Sequence, residues 1–233
     1  MLASSVSAFA SDGRLLQVEA AQEATRKGST AVGIRGSNFL ILGVHNRVLN
    51  KTIVPRTVSK MHALDSHLVM VYVGIVGDAM RLREVGIEVC KNNKQVYDNN
   101  IEPYVLAKYI ADLKQNHTCL STARPFGVSC IFAGFDHDYP QLLKTDPSGE
   151  FNLWKACAIG QLADSVEDFL AKNLTNRIAA SVSSSIKLAA NSLFTLTPDS
   201  FENIEIGIMI KDKPLEMISN ENLHALLQEE SWT

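Results

Sequence analysis

The chain has 233 residues, of which 46% are hydrophobic and 20% are charged, a balance typical of a globular protein with enough apolar material for a sizeable core. Its formal net charge of -3 gives no broad basic field, so nucleic acid and anionic membranes are excluded as expected partners. The four cysteines include no C-x-x-C pair and three of them lie among apolar residues, which favours a reducing compartment. We find no signal peptide or membrane span, and we therefore expect a cytoplasmic or nuclear protein.

The stretch from Phe9 to Gly36 predicts a capped helix that leads directly into a strand. Ser11, Asp12 and Gly13 read as a turn whose side chains accept bonds from the N–H groups of the next turn. Residues 14–27 then contain no proline or glycine, and Gly28 is predicted to end the helix. Residues 29–34 are small or β-branched and predict a buried strand, which a Gly-Ser-Asn turn joins to a second strand over residues 39–44.

The rest of the chain alternates strand blocks with helix pairs. A hairpin of residues 64–65 and 67–73 is expected to extend the first sheet, and helices over 76–93 and 102–117 to form one layer. The remaining elements are predicted to be a meander that forms a second sheet (128–135, 141–145, 152–159), helices over 161–173 and 183–196, a strand over 204–210 and a capped helix over 219–228. This order favours a single α+β domain over residues 1–233, with two antiparallel sheets face to face and helices outside.

Several arrangements that resemble catalytic or ligand sites have simpler structural explanations. His62, His67 and Asp65 cannot be joined to a G-x-S-x-G elbow, so we expect packed or surface histidines. The cysteines and histidines lack metal-ligand spacing, and Asp136-His137-Asp138 reads as a solvated hairpin tip. The run from Gly74 to Asp78 lacks the other residues of a phosphate loop and predicts a tight joint between a strand and a helix.

The N-terminal stretch resembles the signature of α-type subunits of the 20S proteasome. The matching residues are Phe9, Asp12-Gly13-Arg14-Leu15, Gln17-Val18-Glu19, Ala21-Gln22-Glu23-Ala24 and Lys27-Gly28-Ser29-Thr30-Ala31-Val32-Gly33. Similarity continues in Thr57-Val58-Ser59-Lys60, Gly74-Ile75-Val76-Gly77-Asp78-Ala79, Arg124-Pro125-Phe126-Gly127-Val128-Ser129, Thr145-Asp146-Pro147-Ser148-Gly149 and Trp154-Lys155-Ala156-Cys157-Ala158-Ile159-Gly160. The resemblance covers nearly the whole chain, and residues 21–36 are most similar to the subunit at the fourth position of the eukaryotic α ring.

This resemblance implies the four-layer αββα sandwich of N-terminal nucleophile hydrolases. It further implies a non-catalytic subunit of the outer α ring, with residues 1–12 as a gate segment and residues 13–27 as the N-terminal helix. Neighbouring α subunits, β-ring subunits and activators such as the regulatory particle are the implied partners in ATP- and ubiquitin-dependent protein degradation. It implies no cofactor, metal or catalytic residue, and a cytoplasmic and nuclear location.

By the same resemblance, Lys60 lines a pocket between adjacent α subunits that receives the C-terminal tails of activators. Its ammonium would make a charge-assisted bond to the terminal carboxylate. Gly28 would leave room for the tail backbone and Ile75 would supply an apolar wall. Arg14 and Glu19 match the positions near which the penultimate aromatic residue of the tail settles.

Four positions depart from the family pattern. A Tyr-Asp pair, a proline and a tyrosine usually cluster between neighbouring subunits and hold the open gate, but this chain has Leu2, Ala3, Ser11 and Ala20 there. These side chains lack the phenol hydroxyl and the carboxylate that would bond across the cluster. The extension upstream of the pair is also missing. We therefore expect little contribution to gating, and residues before Phe9 that are mobile.

Two other functions stay open at this stage. The first is an active N-terminal nucleophile peptidase, processed before Ser29 or Thr30, since Ser29 lies about where the nucleophile of the related β subunits would be. We favour a structural role for Ser29 because its amine is locked in a peptide bond. The second is a free-standing binding module, which the small-residue face of the first helix disfavours because a lone domain would expose it.

Overall fold

The computed structural model describes residues 8–46, 58–196, 203–219, 221–223 and 226. The helices whose bounds lie within them are α1 (Leu16–Arg26), α2 (Val76–Tyr97), α3 (Pro103–Cys119), α4 (Ala163–Asn173), α5 (Asn176–Ala179) and α6 (Val182–Leu196). The same residues form ten strands: β1 (Ala31–Arg35), β2 (Phe39–His45), β3 (Met61–Asp65), β4 (Leu68–Gly74), β5 (Val128–Asp136), β6 (Tyr139–Thr145), β7 (Phe151–Leu153), β8 (Ala156–Ile159), β9 (Ile204–Ile210) and β10 (Glu216–Met217).

Two five-stranded antiparallel sheets face each other. The first sheet has the order β10-β9-β2-β1-β8 and the second has the order β3-β4-β5-β6-β7. Apolar side chains from β1, β2, β4 and β5 fill the space between the sheets. Helices α2 and α3 cover the outer face of the second sheet, and α4 and α6 cover that of the first. The predicted four-layer αββα sandwich is therefore confirmed.

The predicted arrangement of strands within the sheets is wrong in two places. The hairpin of β3 and β4 does not extend the first sheet but begins the second, where β4 pairs with β5. The predicted strand over residues 152–159 is two strands, because the chain crosses between the sheets at Trp154 and Lys155. Trp154 N donates to Leu142 O of β6 in the second sheet, and Lys155 O accepts from Arg35 N of β1 in the first sheet.

Several helix ends also differ from the prediction. The N-terminal helix covers residues 16–26 rather than 13–27, and its N-cap is Leu15, which makes no side-chain cap bond. Asp12 Oδ1 accepts from Arg14 N at 3.2 Å, so that carboxylate stabilises the turn and not the helix. Helix α2 runs four residues beyond the predicted end, to a C-cap at Asp98 in the left-handed region, φ 50°.

The C-terminal helix lies largely outside the described residues. Residues 221–223 are helical, and Ser219 Oγ accepts from Asn222 N at 3.3 Å, as the predicted cap requires. Strand β9 and the hairpin of β1 and β2 lie where the sequence predicts them. Among the described residues, no helix has the length and apolar character needed to cross a membrane.

Candidate functional site

The first part of the candidate site is the junction between α1 and β1. Gly28 N donates to Thr25 O at 3.0 Å, and Gly28 O accepts from Gln161 N at 3.1 Å. A Cβ at Gly28 would lie 2.5 Å from Val73 Cγ1 of β4. This position therefore needs glycine for the close packing of the junction on β4, a reason within the chain itself.

Lys60 lies beside this junction, just before β3. Its Nζ donates to Ser29 Oγ at 2.8 Å. Burial lowers the pKa of Lys60, and the Glu205 carboxylate opposes that shift. Among the described residues no carboxylate lies within 4.0 Å of this ammonium, so a partly buried cation is left without a direct ion pair.

Ile75 supplies an apolar surface at the same end of β4. It is 43% exposed, and its N–H donates to Gly127 O at 2.9 Å. The preceding Gly74 has φ +126°, and a Cβ there would lie 2.2 Å from Gly127 O. The predicted tight joint between strand and helix is thus observed, with no phosphate-loop geometry required to explain its glycine.

A buried carboxylate holds this joint against the loop before β5. Asp78 Oδ1 and Oδ2 accept from the two terminal nitrogens of Arg124 at 2.6 and 2.7 Å, and Oδ2 also accepts from Gly127 N at 2.9 Å. Burial alone would raise the pKa of Asp78, but the bonds from Arg124 and Gly127 outweigh it and lower the pKa. Because Gly127 also binds Ile75, this ion pair fixes the apolar wall.

Arg14 and Glu19 lie at the other end of α1 and bind each other. Arg14 Nε donates to the two Glu19 carboxylate oxygens at 2.8 and 3.1 Å. This bond raises the pKa of Arg14 and lowers that of Glu19. Glu19 is the fourth residue of α1, which ends at Arg26, so about 10 Å of helix lies between this pair and the end of α1 before Gly28. The structure therefore brings Lys60, Gly28 and Ile75 together, and leaves Arg14 and Glu19 elsewhere.

Two of the four gate positions can be located. Ser11 lies in the exposed turn before α1, where Gly13 N donates to Ala10 O at 2.9 Å. Ala20 is exposed on α1. Leu2 and Ala3 lie outside the described residues.

The backbone around Ser29 and Thr30 is fixed on several sides. Thr30 O accepts from His45 N at 2.8 Å, and Thr30 Oγ1 donates to Gln161 O at 2.5 Å. Gly160, with φ +97°, packs so closely on Ser29 that a Cβ there would lie 2.0 Å from Ser29 O. The Ser29 amine is an internal peptide nitrogen of this chain, as the sequence analysis assumed, but the amine of Lys60 beside its hydroxyl was not foreseen.

The other candidate groups have structural roles. His67 Nε2 binds Ile101 O at 2.8 Å, and His62 stacks on Tyr72 with ring centroids 5.6 Å apart. His137 is exposed at the two-residue turn between β5 and β6, as predicted. No cluster of potential metal ligands is found among the described residues.

Sequence reasoning missed a fully buried lysine in α3. Lys114 Nζ donates to Val128 O at 3.0 Å and to Thr145 Oγ1 at 2.8 Å, and burial lowers its pKa. A signal was present, because Lys114 continues the spacing of the buried residues Ile110 and Ala111 on the inner face of α3.

Comparison with known proteins identifies the family to which this fold belongs. The sequence matches the family described as "Proteasome subunit" over residues 25–209. The chain belongs to the proteasome subunit family. It is 40% identical over 225 residues to "Proteasome subunit alpha type-7-like" of Macaca fascicularis, which covers 96% of this chain and 90% of that relative. It is also 40% identical over 225 residues to "Proteasome subunit alpha type-8" of Mus musculus, with the same coverage, and 39% identical over 231 residues to "Proteasome subunit alpha-type 8" of Homo sapiens, again covering 96% of this chain and 90% of the relative.

These relatives confirm the prediction of a structural proteasome subunit of the α type. Their names do not state a ring position, an activator or a gating role.

Proposed function

We propose that this proteasome subunit is non-catalytic and acts by contact: it packs against neighbouring α subunits and the β ring, and it docks activator tails beside Lys60. The observation that carries the proposal is the partly buried ammonium of Lys60, which bonds to Ser29 Oγ at 2.8 Å and has no direct ion pair among the described residues. A terminal carboxylate is a suitable partner for such a group because charge-assisted bonds are stronger than neutral ones.

The surroundings of Lys60 fit an extended tail. Ile75 is 43% exposed and offers an apolar contact beside the Gly28 junction, where a Cβ at Gly28 would lie 3.2 Å from Gly74 N. The Gly28 junction gives a surface of small groups, although its glycine is also required by packing on β4. A tail held here would gain a charged bond and an apolar contact within one short segment.

Arg14 and Glu19 belong to a different pocket in this proposal. About 10 Å of helix lies between them and the end of α1 before Gly28, and they already form an ion pair with each other. Each subunit would then supply Lys60 and Ile75 to one interface and the Arg14–Glu19 pair to the next. A complete pocket would require two adjacent subunits of the ring.

The test is the affinity of a synthetic tail peptide with a free C-terminal carboxylate for particles that carry Lys60→Ala. Removing one partner of a bond to a charged group typically costs about 1.5–3 kcal/mol, so binding should weaken by at least tenfold. Lys27→Ala is a matched control, because Lys27 is an exposed lysine that pairs with Glu23 at 3.8 Å. An amidated peptide should bind wild type and Lys60→Ala equally. Equal affinity of wild type for the carboxylate and amide peptides would refute the docking role.

A second candidate function follows from the Ser29–Lys60 contact. An amine 2.8 Å from a serine hydroxyl can act as its general base when the amine is neutral, which is how an active peptidase processed before Ser29 or Thr30 would gain a nucleophile. Intact mass measurement of the subunit from native particles distinguishes the two functions. An unprocessed subunit without peptidase activity supports the contact role, and a chain that begins at residue 29 or 30, with activity lost in Ser29→Ala or Thr30→Ala, supports the peptidase.

We further propose that the subunit contributes little to gating and occupies the fourth position of the α ring. Leu2 and Ala20 lack the phenol hydroxyl of the tyrosines they replace, and Ala3 lacks the carboxylate of the aspartate. Rebuilding the cluster with Ala20→Tyr, Ser11→Pro, Leu2→Tyr and Ala3→Asp should therefore change basal entry of small peptides. An unchanged rate with and without activator would contradict this role. Cross-linking mass spectrometry of the particle tests the ring position, and imaging of the tagged subunit tests the proposed cytoplasmic and nuclear location.

A further inference from the structure

Two groups of its own chain act on Lys60. The ammonium donates to Ser29 Oγ at 2.8 Å. The carboxylate of Glu205 acts on it electrostatically and favours its protonated form. The cation that the pocket offers to a ligand is therefore already partly balanced from within.

The structure holds Glu205 in this position. Its backbone lies in β9, paired with Val44 of β2, and Ser59 Oγ is 3.5 Å from Glu205 Oε2. Ser59 immediately precedes Lys60, so this contact places the carboxylate beside the segment that carries Lys60. No ion pair of 4.0 Å or less joins Glu205 to Lys60 among the described residues, and the ammonium thus stays available to another carboxylate.

We propose that Glu205 determines the affinity of the pocket for terminal carboxylates, because it competes with an incoming tail for the charge of Lys60. The inference rests on the proposed docking function. A tail carboxylate that reaches Lys60 also approaches Glu205, and two like charges near one cation repel each other. Glu205 would thereby select tails whose apolar contacts, for example with Ile75, compensate for that repulsion.

Neutralising Glu205 should consequently strengthen binding. We expect Glu205→Gln to tighten binding of a carboxylate tail peptide by about threefold to tenfold at low salt, since a nearby like charge costs that much in a partly solvated site. The gain should shrink as salt screens the repulsion. Binding of the amidated peptide should not change.

The experiment measures peptide affinity by fluorescence anisotropy with assembled particles that carry the variant subunit. Glu88→Gln is the control for loss of one negative charge. Glu88 is exposed on α2, which covers the second sheet, whereas Glu205 lies in β9 of the first sheet. Glu205→Thr is the second variant, with a neutral β-branched side chain suited to a strand, and it should shift affinity in the same direction if glutamine perturbs β9.

A pH titration separates this role from simple damage to the pocket. Tail binding requires the Lys60 ammonium and is lost as pH rises through the pKa of Lys60. Because Glu205 raises that pKa, the loss should move to lower pH in Glu205→Gln, although binding near neutral pH is tighter. A merely structural defect would weaken binding at every pH.

The failure of this inference is distinguishable from failure of the docking function. If wild type prefers the carboxylate peptide and Lys60→Ala loses that preference, the pocket is supported. Unchanged or weaker binding in both Glu205 variants would then overturn the role of Glu205 alone. If wild type binds the carboxylate and amide peptides equally, the docking function fails and this inference fails with it.

Discussion

Replacing Asp78 should test whether one buried carboxylate holds the wall of the pocket. In the folded chain its side chain is 11% exposed and that of Arg124 is 58% exposed. Asp78 accepts three bonds, two from Arg124 at 2.6 and 2.7 Å and one from the buried Gly127 N–H at 2.9 Å. Asp78→Ala removes all three bonds and the negative charge together.

The expected loss in the free energy of unfolding depends on which of these three bonds water can replace. Arg124 is more than half exposed and regains water, so the loss of its ion pair contributes about 1 kcal/mol. The Gly127 N–H is buried and keeps no acceptor, which costs about 1–3 kcal/mol. Asp78→Ala should therefore lower the free energy of unfolding by about 2–4 kcal/mol, and Asp78→Asn, which keeps an acceptor oxygen, by about half of that.

The assay is urea unfolding followed by circular dichroism at neutral and at acidic pH. The folded pKa of Asp78 lies below its ordinary value, so the charged carboxylate adds stability above an unfolded pKa of about 3.9 that is lost as pH falls through the folded pKa. The difference between wild type and Asp78→Asn should thus shrink in acid. A difference of the same size at both pH values, or an Asp78→Ala variant as stable as wild type, would refute the reasoning.

Three further predictions concern other buried groups. Burial lowers the pKa of Lys114, so the free energy of unfolding of wild type should rise with pH towards the ordinary lysine pKa of about 10.4. This part of the rise should be absent from Lys114→Met when both proteins are unfolded with urea, and identical pH profiles would contradict the prediction. Cys119 is exposed, whereas burial raises the pKa of Cys90 to about 12. Mass spectrometry after alkylation should therefore find Cys119 modified in the native chain and Cys90 modified only in the unfolded chain. Modification of Cys90 before Cys119 in the native chain would contradict this prediction. Gly160→Ala should lower the free energy of unfolding by about 3 kcal/mol or more in the same assay. The reason is that the alanine Cβ would lie 2.0 Å from Ser29 O, at a φ of +97°. A loss below about 1 kcal/mol would contradict that strain.

Local signals predicted the elements whose residues carry the information themselves. The bounds of β9 are the predicted ones. The β1–β2 hairpin follows from a small and β-branched run and an apolar run on either side of a Gly-Ser-Asn turn. The end of α2 was predicted too early because asparagine pairs usually end helices. Here Asn93 stays helical and its Nδ2 donates to Asn99 O at 3.0 Å, so the helix ends only at Asp98.

Sheet membership could not be predicted because it is a tertiary property. An antiparallel hairpin such as β3–β4 buries the same apolar residues in either sheet, and its sequence does not state its partner strand. The crossing at Trp154 and Lys155 similarly looks like continuous strand in sequence, since both residues are compatible with a strand.

The resemblance named the residues of the candidate site, and only the structure shows which contacts they make. Lys60 bonds to Ser29 beside Gly28, and a Cβ at Gly28 would lie 3.2 Å from Gly74 N, next to Ile75. The resemblance could not show that Arg14 and Glu19 bind each other, because that bond depends on the turn that brings residue 14 beside α1. The contact between Ser29 and Lys60 joins residues that are 31 positions apart, and only the packing of the β3 entrance beside the α1–β1 junction creates it.

The charge of Lys60 separates the two functions that its contact with Ser29 permits. A general base must be a neutral amine that accepts the hydroxyl proton, whereas a docking site for a carboxylate must be an ammonium that donates. Burial favours the neutral form, and Glu205 favours the charged form. In the proposed docking function, Glu205 would therefore weaken Lys60 as a base by favouring its charged form, and it would limit how tightly a second carboxylate can bind. A single acidic residue in β9 would then disfavour catalysis at Ser29 and moderate docking at Lys60, as reversible contact with a partner requires.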